Sequence, residues 1–251
     1  DPEHAVLRFL SKALVHGEFH PSANQLYHNP HRDPGSNIGH PELPSWLATS
    51  RVSLMAAGSS RPRMIDVLSC LSFDVDGDDT TGFRVRVKNR PFPSLQWDMF
   101  VVRDGDELRV LRAGRQDSEL GKRAMTHLEA GQINEARQWL DWTLERQNRY
   151  VGWFDQFAGS PFARMWVVSD KSDESAVRLA AAALASGSDH APDSVLTLQA
   201  SREGAPKTQK LQIERALLRA LIESEQHEEA VELASRLAKD FPNEMEPVMS
   251  L

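Results

Sequence analysis

Three stretches in the second half of the chain share one spacing of small and large apolar residues. That repetition constrains the fold more than any other feature of the 251 residues. The first stretch carries Ala124, His127, Leu128, Gly131, Ile133, Ala136, Leu140, Thr143 and Leu144. The last carries Leu218, Leu221, Ile222, His227, Ala230, Ala234, Leu237 and Ala238, and ends at Pro242. A shorter middle copy holds Ala182, Ala185, Ala191, Ser194, Leu198, Ser201 and Pro206. Pro206 and Pro242 stand thirty-six residues apart. Within each copy the apolar residues recur at helical spacing and are interrupted once, so each copy predicts two helices joined by a short turn. Such a pair approaches closely only where small side chains occupy the crossing. Ala124 against Ala136 meets that need in the first copy, and Leu218 against Ala230 meets it less regularly in the last. A proline cannot continue a helix, so Pro206 and Pro242 are expected to end their units.

This pattern resembles the tetratricopeptide repeat, with small residues where two helices touch, larger apolar residues between them and a proline at the exit. The resemblance implies that residues 117–251 form an all-α, TPR-like array of helical hairpins, packed through Ala124, Gly131, Ala136, Leu140, Ala182, Leu198, Pro206, Leu218, Leu221, Ala230, Ala234 and Pro242. Three such units suffice for a stable stack with a concave, ligand-accepting face.

Charge divides the chain in the same place. Residues 1–116 hold fourteen Lys and Arg against fourteen Asp and Glu, whereas residues 117–251 hold fifteen against twenty-two, which is the entire net charge of −7. Proline is dense early and sparse later. The turn-like stretch Ala113-Gly114-Arg115-Gln116 is therefore the expected boundary between an α+β domain, residues 1–116, and the helical array. Within the array, residues 149–172 form an insert between the first and middle copies, dense in Tyr150, Trp153, Phe154, Phe157, Phe162 and Trp166. One reading makes it an exposed aromatic groove for a peptide or glycan, with Tyr150, Trp153, Phe157 and Trp166 as candidate binding residues. The other packs the rings as a plug against neighbouring elements, as numerous aromatic side chains usually are.

The first half predicts helices followed by an antiparallel sheet. Ala5, Leu7, Phe9, Leu10, Leu14 and Val15 make residues 2–16 an amphipathic helix ending at Gly17. Residues 20–44, rich in Pro, His, Asn and Gly, are expected to be irregular, and residues 45–57 to form a second helix. The apolar run Met64–Val75 suggests a strand. Gly82–Asn89 alternates Phe83, Val85 and Val87 with Arg84, Arg86 and Lys88, and Leu95–Arg103 and Glu107–Arg112 are joined at Asp104-Gly105-Asp106 as a hairpin. Helices followed by a curved meander resemble the cone of the nuclear transport factor 2-like (NTF2-like) superfamily.

Other constellations carry less chemistry. His28 and His31 have the spacing of a metal-binding pair, with His16, His20, His40 and Asp33 nearby, but they lie in a Pro-rich stretch with no second pair. Asp74, Asp76 and Asp78 begin like a calcium loop, yet Asp79 replaces the required glycine and Val85 the bidentate glutamate, so an acidic turn is expected. Cys70 sits in an apolar run as a small hydrophobe, and being the single cysteine it forms no internal disulfide. Arg84 and Arg86, with Lys88 and Arg90 beside them, are candidate binding residues for an acidic partner, the acidic helical half included. The chain lacks a nucleophile elbow, a phosphate-binding glycine loop, a zincin helix and a dinucleotide fingerprint, so no cofactor, no metal and no catalytic residue is expected.

The net charge opposes wholesale binding of nucleic acid, and no apolar run reaches eighteen residues, so membrane insertion is not expected either. Asp1 in place of a methionine suggests an upstream segment that has been removed, and a lone cysteine fits both the cytosol and a bacterial periplasm. The functional reading that follows is a non-catalytic scaffold that binds an unidentified protein or peptide, with the acidic balance favouring a basic or neutral ligand. The alternative is a small-molecule binder or enzyme built on a pocket in the first domain, using Asp66, Asp98, Tyr27 or His20.

Overall fold

A computed structural model describes residues 1–12, 27–28, 61–111, 118–150, 160–187 and 191–241. The chain forms two compact units, Asp1–Arg115 and Gln116–Leu251. The first is α+β and the second is helical. The expected helix at 45–57, the boundary stretch Ala113–Gln116, His16, His20, His31, His40, Trp153, Phe154, Phe157 and Pro242 lie outside the described residues.

In the first unit, helix α1 (Pro2–Leu10) starts with Pro2 in its first turn and the Asp1 carboxylate accepting from the Glu3 N–H at 3.0 Å. Helix α2 (Arg61–Ser69) leads into strands β2 (Leu71–Asp78), β3 (Gly82–Asn89), β4 (Gln96–Asp104) and β5 (Glu107–Leu111), an antiparallel meander. Strand β1 (Tyr27–His28) pairs parallel with β5, giving the order β1-β5-β4-β3-β2. The stretch expected to be irregular thus contributes an edge strand, and the sheet is not purely antiparallel.

Met64–Val75 is corrected: its first part is helix. Pro62 sits in the first turn of α2, and Met64, Ile65, Val67, Leu68 and Leu71 fall at helical spacing, with Leu68 buried and Ile65 exposed. A continuous apolar run does not distinguish the two structures, and here helical spacing prevails. Cys70 consequently sits in the turn between α2 and β2, half-buried, and not inside a strand. Likewise the predicted turn Asp104-Gly105-Asp106 shifts by one residue. Asp104 pairs with Glu107, so Gly105 and Asp106 are the two central residues. Gly105 at φ +62° takes the position where the hairpin needs a positive φ.

The core of the first unit lies between α1 and one face of the sheet. Val6, Phe9 and Leu10 pack with Leu71, Val85, Val87, Trp97, Met99, Val101 and Val110, all within 2% of complete burial. Each such side chain contributes about 1.5–3 kcal/mol by leaving water.

The helical unit contains α3 (Ser118–Glu129), α4 (Ile133–Tyr150), α5 (Pro161–Val168), α6 (Glu174–Ala185), α7 (Ala191–Arg202), α8 (Lys207–Glu223) and α9 (His227–Asp240). Helices pack in consecutive pairs, α3 with α4, α6 with α7 and α8 with α9, and α3 also packs on α6 and α7 on α8.

The turns of the first and last pairs have the same hydrogen bonds at a constant sequence offset. In the first, Ala130, Gly131, Gln132 and Ala136 N–H groups donate to Thr126, Leu128, His127 and Gln132 carbonyls. In the last, Ser224, Glu225, Gln226 and Ala230 donate to Ala220, Ile222, Leu221 and Gln226. Both are Schellman ends, in which one residue must turn left-handed. That residue is Gly131 at φ +74° and Glu225 at φ +59°, and Glu225 is the one non-glycine with positive φ among the described residues.

A side chain in the left-handed region costs about 1 kcal/mol that glycine avoids. Glu225→Gly is therefore expected to raise stability by about 0.5–1 kcal/mol, and Gly131→Ala, where a Cβ meets nothing within 4 Å, to lower it by about 1 kcal/mol. Urea unfolding of the three proteins checks this; equal midpoints would contradict it.

Candidate functional site

The surfaces of the helical unit depend on what its central helices leave uncovered. Helix α6 reads Ala180, Ala181, Ala182, Ala183, Leu184, Ala185, and every one of these is buried, as is Val177. A helical stretch buried on all sides, as residues 180–185 are, needs short side chains, and α6 is packed by α3, α4, α5 and α7. Gly121 on α3 makes the tightest approach to another backbone among the described glycines: a Cβ there would lie 2.4 Å from the Ala185 nitrogen and 2.7 Å from the Leu184 carbonyl carbon. Backbone meets backbone at that point. The sequence pattern puts small residues at Ala124 and Ala136, where α3 crosses α4, and both are fully buried; Gly121, one turn before Ala124, faces α6 and is not part of that pattern. The available signal was a glycine inside a helical pattern, which costs about 1 kcal/mol relative to alanine and so implies a packing reason.

The remaining packing residues are placed as follows. Ala136, Leu140, Ala182 and Leu198 are fully buried, Leu218, Leu221 and Ala230 are buried, and Ala234 is half-buried. Ser194, the middle copy's counterpart of Ala136 and Ala230, is fully buried, and its hydroxyl lies 3.9 Å from the Met125 sulfur. Gly131 is exposed in its turn, and Pro206 is the cap residue that opens α8.

The aromatic insert contributes α5. Its Ser160 cap accepts from the Ala163 N–H at 3.2 Å and donates to the Gln147 side chain on α4 at 2.9 Å, and Pro161 follows in the first turn. Phe162, Met165 and Trp166 are buried to within 1%, and α5 packs on α6, α8 and α4. Trp166, a candidate binding residue, is therefore an internal side chain. Its indole N–H donates to Asp141 on α4 at 2.9 Å, the Lys171 ammonium bonds to the same carboxylate oxygen, and that ammonium lies 5.1 Å from the Trp166 ring centroid. Trp139 and Trp142 on α4 meet edge-to-face at 5.2 Å and are both buried. Tyr150 ends α4, with its backbone alone described.

Two further ionic contacts join helices. Glu214 on α8 is 3% exposed and takes Arg202 of α7 at 3.3 Å and Arg236 of α9 at 3.6 Å. The Arg219 guanidinium lies where a Cβ on Gly187 would stand, at 2.2 Å, and burial lowers its pKa, opposed by Glu223. The exposed side of the array carries single aliphatic residues: Val167 and Val168 on α5, Leu196 on α7, Ile222 on α8 and Val231 on α9.

In the first unit, the candidate cations are engaged within the sheet. Arg84 bonds Asp76 at 2.9 Å, Arg86 bonds the buried Asp98 at 3.3 Å, and Lys88 bonds Asp74. Asp74 and Asp76 thus belong to strand β2 as ion-pair partners, and Asp78 ends that strand, its side chain accepting from the Thr80 and Thr81 N–H groups of the following turn at 2.9 and 2.8 Å. Of the residues proposed for a pocket, Asp66 is exposed on α2 and Asp98 lies on the sheet face opposite α1, where Arg86 holds it, while His20 and the Tyr27 side chain lie outside the described residues. Among the described residues, no group of three His, Cys, Asp or Glu is placed to hold a metal ion, and no helix is long and apolar enough to cross a membrane.

No protein-family model matches the chain, and neither a curated protein nor a solved structure does so.

Two variants test this packing. Gly121→Ala forces α3 off the α6 backbone and is expected to cost about 1–3 kcal/mol in urea unfolding; a cost below about 0.5 kcal/mol contradicts the close approach. Trp166→Phe keeps a six-membered aromatic ring but removes the pyrrole half of the indole, and with it the donor to Asp141. It is expected to cost about 1 kcal/mol and to speed amide exchange across residues 161–168, whereas unchanged exchange would show that this bond does not hold α5.

Proposed function

We propose that the helical unit is a non-catalytic scaffold of TPR-like hairpins that binds a protein or peptide segment. The observation that carries this reading is the identity of the two turns. Residues 126–136 and 220–230 share four backbone hydrogen bonds at the turn and the left-handed position, although one uses Gly131 there and the other Glu225. Stacked hairpins serve as scaffolds because their outward positions are free to vary while the inward alanines hold the stack. In this chain the aromatic plug α5 covers parts of α6 and α8, so the surface left for a partner is the outer side of the hairpins, α9 included, with Val231, Glu228 and Glu232. An acidic surface with scattered aliphatic side chains suits a basic or neutral partner.

Cross-linking mass spectrometry on the intact protein, captured from lysate of its source organism, tests the reading. One partner cross-linked to residues 207–241 is expected, and capture is expected to fall when Val231→Asp and Glu232→Lys are combined. Recovery of no partner, together with a metabolite that shifts the melting temperature, would contradict it.

A further inference from the structure

Strand β2 is an edge of the sheet, and among the described residues it has β3 as its only strand neighbour. Its backbone groups divide cleanly. The Arg90 N–H donates to the Cys70 carbonyl at 2.8 Å, one row beyond the Leu71–Asn89 pair. Bonded and non-bonded rows alternate in an antiparallel ladder. Ser72, Asp74 and Asp76 therefore aim their backbone groups at β3, and Phe73 and Val75 aim theirs at the open edge. Residues 74–78 are all exposed, Val75 at 40%, so the outer half of this edge faces water.

The side chains specify what fits there. Asp98 on β4, Arg86 on β3 and Asp74 on β2 stand in one row across the sheet, and Asp76 stands in the next row with Arg84. The sign of charge alternates strand by strand, minus, plus, minus, and ends on Asp74 and Asp76, whose side chains are 58% and 50% exposed on the open side. Opposite charges directly across a pair of strands stabilise it and like charges oppose it. On the other face, half-buried Phe73 packs against the apolar core and Val75 beside it is 40% exposed, so an aliphatic neighbour would cover apolar surface there.

We propose that β2 is a strand-addition site for a basic extended peptide, which joins the sheet as a further strand with lysine or arginine beside Asp74 and Asp76 and aliphatic residues beside Phe73 and Val75. Main-chain bonds to Phe73 and Val75 supply affinity, and alternating side chains supply selectivity. A second copy of this chain is the wrong partner, because antiparallel β2–β2 pairing about Val75 sets Asp74 opposite Asp76 twice. The acidic edge thus also guards against self-association. This site lies in Asp1–Arg115 and stands or falls independently of the scaffold reading of the helical unit.

The probe is a fluorescein-labelled peptide of alternating lysine and valine, with an alternating glutamate and valine peptide as control, titrated against the full chain by anisotropy. Binding of the lysine peptide alone is expected, weakened roughly tenfold by Val75→Pro, which removes an edge donor without touching the bonds to β3. Asp74→Asn with Asp76→Asn is expected to weaken it by a similar factor. Amide exchange on the wild-type chain gives a second readout: the Phe73 and Val75 N–H groups exchange fast alone and slowly with the lysine peptide. Three results would overturn the proposal: no binding by the wild type, binding without protection of Phe73 and Val75, or protection of Val75 that grows with protein concentration in the absence of peptide.

Discussion

How closely two helix backbones approach is the constraint on which the second unit rests. Gly121 and the run Ala180–Ala183 with Ala185 remove the side chains that would otherwise hold α3 and α6 about 8–10 Å apart at their axes. With α6 so thin, α3, α4, α5 and α7 all reach it, and the buried surface becomes continuous from α3 to α9. Larger residues then fill the outer spaces, with Trp139, Trp142, Phe162 and Trp166 around α4 and α5. The small residues set the geometry, and the buried leucines and aromatic residues supply the bulk around them.

The first unit solves a different problem. Its sheet buries one face under α1 by dispersion and hydrophobic contact, and its other face mixes buried Phe100, Val102 and Leu111 with charged rows. Asp98, almost without exposure, is tolerated there because Arg86 approaches to 3.3 Å, since an unpaired buried carboxylate would be costly. The same row logic that satisfies Asp98 inside the sheet leaves Asp74 and Asp76 at the rim, facing water.

Much of this was legible in the residues. Strict alternation gave β3 its full extent, Gly82–Asn89, and the recurrence of alanines marked the helical half. The misplaced features share a cause. Met64–Ser69 was read as strand because a short apolar run has no period of its own, and the helix follows from Pro62 and from which face Leu68 finds to bury. For the Arg84 and Arg86 stripe, alternation shows which face a side chain takes and not what stands across from it. Asp74, Asp76 and Asp98 come from other strands, and only register brings them together. The aromatic insert followed the same rule: composition signalled a cluster, whereas the Asp141 partner of Trp166 lies on α4, outside the insert.

The helical unit therefore stands on one contact between non-consecutive helices. The most direct test is a nuclear Overhauser measurement between the α protons of Gly121 and the backbone protons of Ala185 in the intact chain. The packing described here puts these groups in van der Waals contact and predicts a strong cross-peak. A spectrum with both residues assigned and no such peak would mean that α3 does not rest on α6, and the stacked-hairpin account would fail with it.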